Sequence, residues 1–100
     1  MFKKLDGFEF PTERFGDCWF EVAKYTDNSR TALQIINEEG PVGVLTVNLS
    51  DEPLLENELF IKTWGGNEMI LQDVIATGLF VDTGKSASTG FVKAPIWSLK

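Results

Sequence analysis

Short runs of β-branched and aromatic residues, separated by clusters of turn-forming residues, fill the first half of the chain and restrict its fold. The three runs are DCWFEVAKY (17–25), TALQIIN (31–37) and VGVLTVNL (42–49). Between them lie TDNSR (26–30) and EEGP (38–41), whose residues favour turns. Strands with such short connections pair with their neighbours, so the sequence predicts an antiparallel meander.

The second half contains the one segment with a clear helical period, NEMILQDVIATG. Asn67 is a favourable N-cap residue, and Glu68 places negative charge near the positive end of the helix dipole. The apolar residues that would form a single stripe are Ile70, Leu71, Val74 and Ile75. The pattern predicts a helix at about 67–77.

Further strands are expected on both sides of this helix. The candidates are LFIKTW (59–64), LFVDT (79–83) and FVKAPIWSL (91–99), with KSASTG (85–90) as a flexible turn. Pro95 cannot donate to a strand ladder, which predicts that the last strand is an edge or is bulged there. Asp6-Gly7 resembles a hairpin turn. The expected fold is α+β: an antiparallel β-sheet of about five to six strands, meander first, with the helix packed on one face.

Composition indicates one folded domain and excludes much familiar chemistry. The 100 residues suit a single α+β domain, 1–100, with 43% hydrophobic residues. No apolar run is long enough for a transmembrane helix, and charges interrupt the N-terminal segment, so we expect a cytoplasmic protein. Histidine is absent and Cys18 is the only cysteine. We therefore expect no enzymatic activity, no metal and no cofactor; Cys18 is expected to be a buried structural thiol.

Acidic residues dominate the centre of the chain. Between Thr31 and Gly84, Lys62 is the only base. The acids in this segment are Glu38, Glu39, Asp51, Glu52, Glu56, Glu58, Glu68, Asp73 and Asp82. Such a segment repels phosphate and favours a cationic partner, so neither nucleic acid nor membrane is an expected partner. The alternative is a solvated acidic surface that keeps the protein soluble.

Two motifs with catalytic associations overlap at residues 82–86. Asp82-Thr83-Gly84 is the tripeptide that carries the catalytic aspartate of aspartic proteases, but too little chain follows it to complete that fold. Gly84-Lys85-Ser86 resembles the end of a phosphate-binding loop, but the upstream glycine spacing is wrong and no helix is expected after it. A turn is the better interpretation of both.

Two further segments have features of ligand sites. Trp64-Gly65-Gly66-Asn67 precedes the expected helix, but Glu68 already occupies the positive end of the helix dipole. This favours a strand-to-helix corner with positive φ at a glycine. The acidic segment 51–58 lacks the glycine of a calcium loop and contains Pro53, so an acidic recognition surface is the stronger interpretation.

The C-terminal half resembles a small uncharacterised domain family encoded on plasmids, integrative conjugative elements and phages, mostly of Gram-positive bacteria. The residues that carry the resemblance are Val47-Asn48-Leu49, Phe60-Ile61-Lys62, Asn67-Glu68, Thr83-Gly84 and Thr89-Gly90-Phe91-Val92 with Pro95. Trp64-Gly65-Gly66 departs from the polar residues of the family pattern. The resemblance implies an accessory protein of a mobile element, and by analogy an inhibitor of a host defence nuclease, as in anti-CRISPR or anti-restriction proteins.

The sequence thus leads to a non-enzymatic acidic protein that contacts a basic host protein such as a nuclease effector complex. The residues expected to bind this partner are Asp51, Glu52, Glu56, Glu58, Glu38, Glu39 and Glu68. One alternative is a small-molecule or nucleotide-signal binding protein with an apolar cleft between helix and sheet. Another is an accessory protein of the element's transfer machinery. A homodimer is compatible with each of them.

Overall fold

The computed structural model describes residues 3–49 and 51–99, and in that part of the chain it contains seven β-strands, a 3-10 helix and a short α-helix. The strands are β1 (Lys3–Thr12), β2 (Gly16–Lys24), β3 (Thr31–Asn37), β4 (Gly40–Val44), β5 (Glu58–Phe60), β6 (Phe80–Thr89) and β7 (Val92–Leu99). The 3-10 helix is Asn67–Met69, and α1 is Leu71–Ala76. The expected class is confirmed in its coarse form: the protein is mostly antiparallel β-sheet with one short helix.

Two antiparallel sheets form, where the sequence predicted one sheet of about five to six strands. The first sheet has the order β1-β2-β3-β4, which confirms the meander, and the second has the order β5-β7-β6. An isolated bridge between Thr46 and Ile61 joins them. Next to it, the backbone N–H of Lys62 donates to the carbonyl of Leu45 at 2.7 Å. Backbone pairing therefore continues from the meander into the second sheet.

The main core lies between the two sheets and α1. Its buried members are Phe10, Cys18, Phe20, Leu33, Ile35, Leu45, Leu59, Ile61, Ile70, Val74 and Trp97. The rings of Phe10 and Phe20 stack with centroids 4.9 Å apart, and Phe80 meets Phe20 edge-on at 5.7 Å. Each fully buried large apolar side chain contributes about 1.5–3 kcal/mol relative to exposure. This cluster is consequently the main source of stability.

A second apolar cluster covers the opposite face of the second sheet. Phe60, Ala87, Ala94 and Ile96 form its buried part, and the partly buried Val47, Leu49, Leu54 and Trp64 pack against it. Phe60 points away from its neighbours Leu59 and Ile61 in the main core, as the two-residue period of a strand requires. The second sheet is therefore covered on both faces, which attaches the segment after β4 to it.

The helix is shorter than predicted, and the expected N-cap at Asn67 is wrong. Regular α-helix covers only Leu71–Ala76, and Ile75 of the expected apolar stripe is exposed. Asn67 is buried, and its side-chain amide donates to the carbonyls of Val44 at 2.8 Å and Lys62 at 2.9 Å. These two carbonyls belong to the junction of the sheets. The Asn67 side chain therefore makes tertiary hydrogen bonds and does not cap the helix.

The segment KSASTG was predicted as a flexible turn, but its first five residues, 85–89, belong to the long strand β6. β6 and β7 form a hairpin whose two-residue loop is Gly90-Phe91, with Thr89 paired to Val92. The sequence-based prediction failed because serine and glycine have low strand propensity, whereas pairing with the apolar β7 overrides local preference. The expectation that Pro95 marks an edge strand is also wrong, since β7 is the central strand of its sheet.

Pro95 is tolerated in β7 because of where its nitrogen points. Its carbonyl accepts a hydrogen bond from the backbone N–H of Ile61 at 2.9 Å, so the backbone polar groups of Pro95 face the β5 side. β5 ends at Phe60, so the missing N–H falls where the ladder stops.

Near the N-terminus, Asp6-Gly7 does not form the expected hairpin. Both residues lie within β1, where the pairing with β2 shifts register between Lys4 and Glu9. The strand expected at 42–49 is also shorter, because β4 ends at Val44 and Thr46 continues the pairing only as an isolated bridge.

Candidate binding surface

The seven acids selected from the sequence lie in three separate places. Asp51, Glu52 and Glu56 are exposed in the connection between β4 and β5. We call residues 51–57 the acidic loop; Glu58 follows it as the first residue of β5. Glu38 and Glu39 form the turn between β3 and β4, and Glu68 belongs to the 3-10 helix.

The acidic loop and the β3–β4 turn are at opposite ends of β3. Arg30, which holds the acidic loop, immediately precedes β3, whereas Glu38 and Glu39 immediately follow it. A strand of seven residues spans about 20 Å at its usual rise. The structure therefore does not bring all seven acids into one surface.

Arg30 fixes the start of the acidic loop. Its guanidinium donates to the carbonyl of Leu49 at 2.8 Å and to the carbonyl of Glu52 at 2.6 Å. The same group lies over the ring of Phe60, 5.8 Å from the centroid. Charged donors to carbonyls are stronger than neutral ones, and a cation over an aromatic face adds further attraction. The backbone that carries Asp51 and Glu52 is thus tied to the residue before β3 and, through the ring of Phe60, to β5.

Glu58 fixes the other end of the loop and is not free for a partner. Its carboxylate is nearly buried, pairs with the ammonium of Lys85 at 2.7 Å and accepts the backbone N–H of Leu55 at 3.0 Å. The hydrogen bond from Lys85, followed by that from Leu55, lowers the pKa of this carboxyl below its usual value. Glu58 therefore joins the acidic loop to the β6–β7 hairpin and holds the loop in shape.

A groove of about 440 Å³ runs between the acidic loop and the hairpin. Its lining residues are Glu52, Pro53, Leu54, Leu55, Glu58, Lys85, Ser86, Ala87 and Ile96. Leu55 is largely exposed, although Leu54 beside it packs on the second cluster. The groove thus combines apolar walls with exposed carboxylates at its rim. Sequence reasoning missed it because KSASTG was assigned to a turn, although the alternation around Ala87 was the available signal.

Glu38 and Glu39 belong to a second, more polar depression at the far end of β3. It measures about 390 Å³ and is also lined by Arg14 and Asp17. The side-chain amide of Asn37 donates to the carbonyl of Phe15 at 3.0 Å, which ties the two hairpin ends together. Because Arg14 is among the lining residues, this end is less purely acidic than the loop.

The Gly-Gly corner is explained by the fold. Gly65 and Gly66 adopt φ values of 68° and 97°, which residues with a Cβ atom rarely adopt. The carboxylate of Glu68 accepts the backbone N–H of Gly66 at 3.2 Å. The expected strand-to-helix corner is therefore confirmed, and Glu68 is engaged locally.

The remaining chemical candidates also have structural roles. Cys18 is fully buried, as expected, and burial raises the pKa of its thiol. Asp82-Thr83-Gly84 forms the irregularity in β6, where the backbone N–H of Gly84 donates to the Asp82 carboxylate at 2.9 Å. The hydroxyl of Thr83 donates to the carbonyl of Ile96 at 2.7 Å. These bonds give the tripeptide a structural role at the irregularity of β6.

Among the described residues, no group of three or more cysteine, aspartate or glutamate side chains is arranged to hold a metal ion. Within the same residues, no helix has the length and apolar character needed to cross a membrane. The chain matches no family model, no curated protein and no solved structure.

Proposed function

We propose that the protein is a non-enzymatic binding protein that covers a basic surface of another protein with the carboxylates of its acidic loop. The observation that supports this is the position of Asp51, Glu52 and Glu56: all three are exposed on a loop whose ends are held by Arg30 and Glu58. A loop that is already ordered loses little conformational entropy on binding. The exposed Leu55 supplies an apolar contact among the charges.

The partner that we propose is a nuclease effector of bacterial defence, and the chain would then act as an anti-CRISPR or anti-restriction protein of a mobile element. A nuclease binds DNA through lysine and arginine, and a carboxylate-bearing loop competes with phosphate for the same residues. The acidic centre of the chain and the family resemblance of its C-terminal half support this proposal.

A phage-plating assay tests the defence part of the proposal. The protein would be expressed in cells with an active CRISPR or restriction system, and the plating efficiency of a targeted phage would be compared with that in cells carrying an empty vector. We expect the protein to restore plating against the effector it binds. Failure against a panel of such systems would contradict the nuclease as partner.

Two variants of equal net charge distinguish the effect of the acidic loop from the effect of the overall charge of the protein. The loop variant carries Asp51→Lys, Glu52→Lys and Glu56→Lys. The far-end variant carries Glu13→Lys, Glu38→Lys and Glu39→Lys. Each set of three reversals raises the net charge of −6 by six, to zero. We expect the loop variant to lose protection and the far-end variant to retain it; equal loss in both would contradict a specific role for the loop.

The groove supports a second candidate function, the binding of a small molecule. Its volume of about 440 Å³ is within the range of ligand pockets, roughly 300–1,000 Å³. The cleft expected between helix and sheet is a weaker candidate, because Ile70 and Val74 are buried in the main core. Native mass spectrometry of the purified protein and thermal shifts with cyclic nucleotides test this function. A retained ligand that leaves with a Leu55→Glu substitution would support it.

A further inference from the structure

The two outer edges of the joined sheets are protected to different degrees. β1 is irregular between Lys4 and Glu9, contains Pro11 and has α1 packed near it. β6 pairs with β7 on one side, and no other strand among the described residues pairs with its outer side. Its stretch 85–89 has continuous register with β7 and contains no proline. Regular edges of this kind offer backbone groups to another strand.

The direction of the free backbone groups follows from β7. Ser86 is paired with Pro95, whose carbonyl is bonded to Ile61 on the far side, so Ser86 and Pro95 do not bond each other. Antiparallel pairs alternate between bonded and non-bonded, which makes the pair Ser88–Lys93 non-bonded as well. The N–H and C=O groups of Ser86 and Ser88 therefore point away from β7, into the open edge.

We propose that β6 pairs antiparallel with β6 of a second copy of this chain, about a two-fold axis at Ala87. In this register Ser86 of each copy lies opposite Ser88 of the other, and all the outward N–H and C=O groups of both residues are paired. Ala87 lies opposite Ala87, where its small side chain allows the closer approach of a non-bonded pair. The two three-stranded sheets become one sheet of six strands.

The charges of this edge fit a second copy. From Gly84 to the C-terminus the chain has no acid, and its bases are Lys85, Lys93 and Lys100. Lys85 is neutralised by Glu58 and lies opposite position 89 of the second copy, so the two Lys85 side chains do not face each other. The acidic loop borders the groove beside Lys85 and Ser86, but the paired stretch 85–89 itself contains no acid.

Exposed apolar side chains also gather on the same hairpin. Val81, Phe91 and Val92 are exposed, and Phe91 at the tip is fully so. In the proposed register the tip of each hairpin extends along the first part of the other β6, toward Val81 of the second copy. Pairing would thus bring apolar side chains of the two hairpins toward each other.

A two-fold axis perpendicular to the sheet also places both grooves and both acidic loops on one face.

Sedimentation of the full chain tests the pairing. An edge contact of this size is small, so we expect a dissociation constant of roughly 10–100 μM. The average mass should rise from 11.2 kDa toward twice that value with concentration. Ser88→Pro removes one outward N–H and should restore the monomer, whereas Ser88→Val keeps that N–H and should still dimerise. A wild-type chain that remains monomeric at about 1 mM would overturn the proposal.

A charge-pairing experiment fixes the register and does not depend on proline being tolerated. S86K/S88K places lysine opposite lysine in the proposed dimer, and S86E/S88E places glutamate opposite glutamate. Both positions are exposed, so each variant should fold but remain monomeric. A mixture should form a heterodimer, because each lysine then faces a glutamate. Dimers in either variant alone, or none in the mixture while the wild type dimerises, would overturn this interface.

Discussion

The acidic loop and the β6–β7 hairpin border the same groove, yet they are built in opposite ways. The loop has no regular structure, carries exposed carboxylates and is held by side chains, chiefly Arg30 and Glu58. The hairpin is held by its own backbone ladder, lacks acids beyond Gly84 and presents small side chains and Phe91. The loop is therefore suited to recognition by charge, and the hairpin to contact through backbone and apolar groups.

The two regions therefore depend on different interactions for their structure. The loop depends on a few long side chains that reach it from other elements. The hairpin depends on pairing that tolerates changes at its exposed positions. Substitutions should therefore have unequal effects on stability in the two regions.

The largest expected contrast is between two phenylalanines. Phe60 is buried beneath the loop, so Phe60→Ala should lower the free energy of unfolding by about 3–5 kcal/mol. Phe91 is fully exposed, so Phe91→Ala should change it by less than about 0.5 kcal/mol. Urea unfolding at neutral pH measures both. Similar losses for the two variants would contradict the described packing of the hairpin tip.

A smaller loss of stability is expected when the loop loses its hydrogen bonds with Arg30. Arg30→Gln removes two charged hydrogen bonds and the contact with Phe60, which should cost about 2 kcal/mol. Lys93→Gln is the matched control, because Lys93 is exposed in β7 and is not among the residues that line the groove beside the loop. Hydrogen exchange should accelerate in residues 51–57 of the Arg30 variant alone. Unchanged exchange there would show that Arg30 does not order the loop.

The smallest expected effect is the pH dependence of the stability that the Glu58–Lys85 ion pair contributes. The pKa of Glu58 in the folded state is below its usual value of 4.5, so its contribution to stability is present above 4.5 and is lost as pH falls through the folded pKa. Glu58→Gln should lower Tm at pH 7, and its Tm should converge with that of the wild type in acid. Glu56→Gln is the exposed control and should follow the wild type throughout. A constant difference from pH 7 to pH 3 would contradict the ion pair with Lys85.

Local pattern predicted the meander well because its strands are adjacent in sequence and rich in β-branched residues. β3 was predicted with its observed bounds, 31–37, since TALQIIN lies between two clear turn clusters. The same reasoning failed for β6 and for Asn67. In both cases the deciding partner is distant along the chain: β7 for β6, and the carbonyl of Val44 for Asn67.

The candidate site was predictable only as a list of acids. Exposure of Asp51, Glu52 and Glu56 follows from their polar, proline-containing segment. The burial of Glu58 does not follow from the local sequence, because its carboxylate pairs with Lys85, which lies 27 positions further along the chain. To predict that Glu38 and Glu39 lie far from the loop, one must likewise know the direction in which β3 runs.

The affinity of the acidic loop for a basic partner is the most direct test of the proposed function. A protein captured from host lysate would be identified and titrated with wild type, the loop variant and the far-end variant at low and high salt. We predict that binding weakens with salt, that the loop variant binds at least about tenfold more weakly, and that the far-end variant stays within about threefold of wild type. Equal affinity of the loop variant and the wild type would contradict the account.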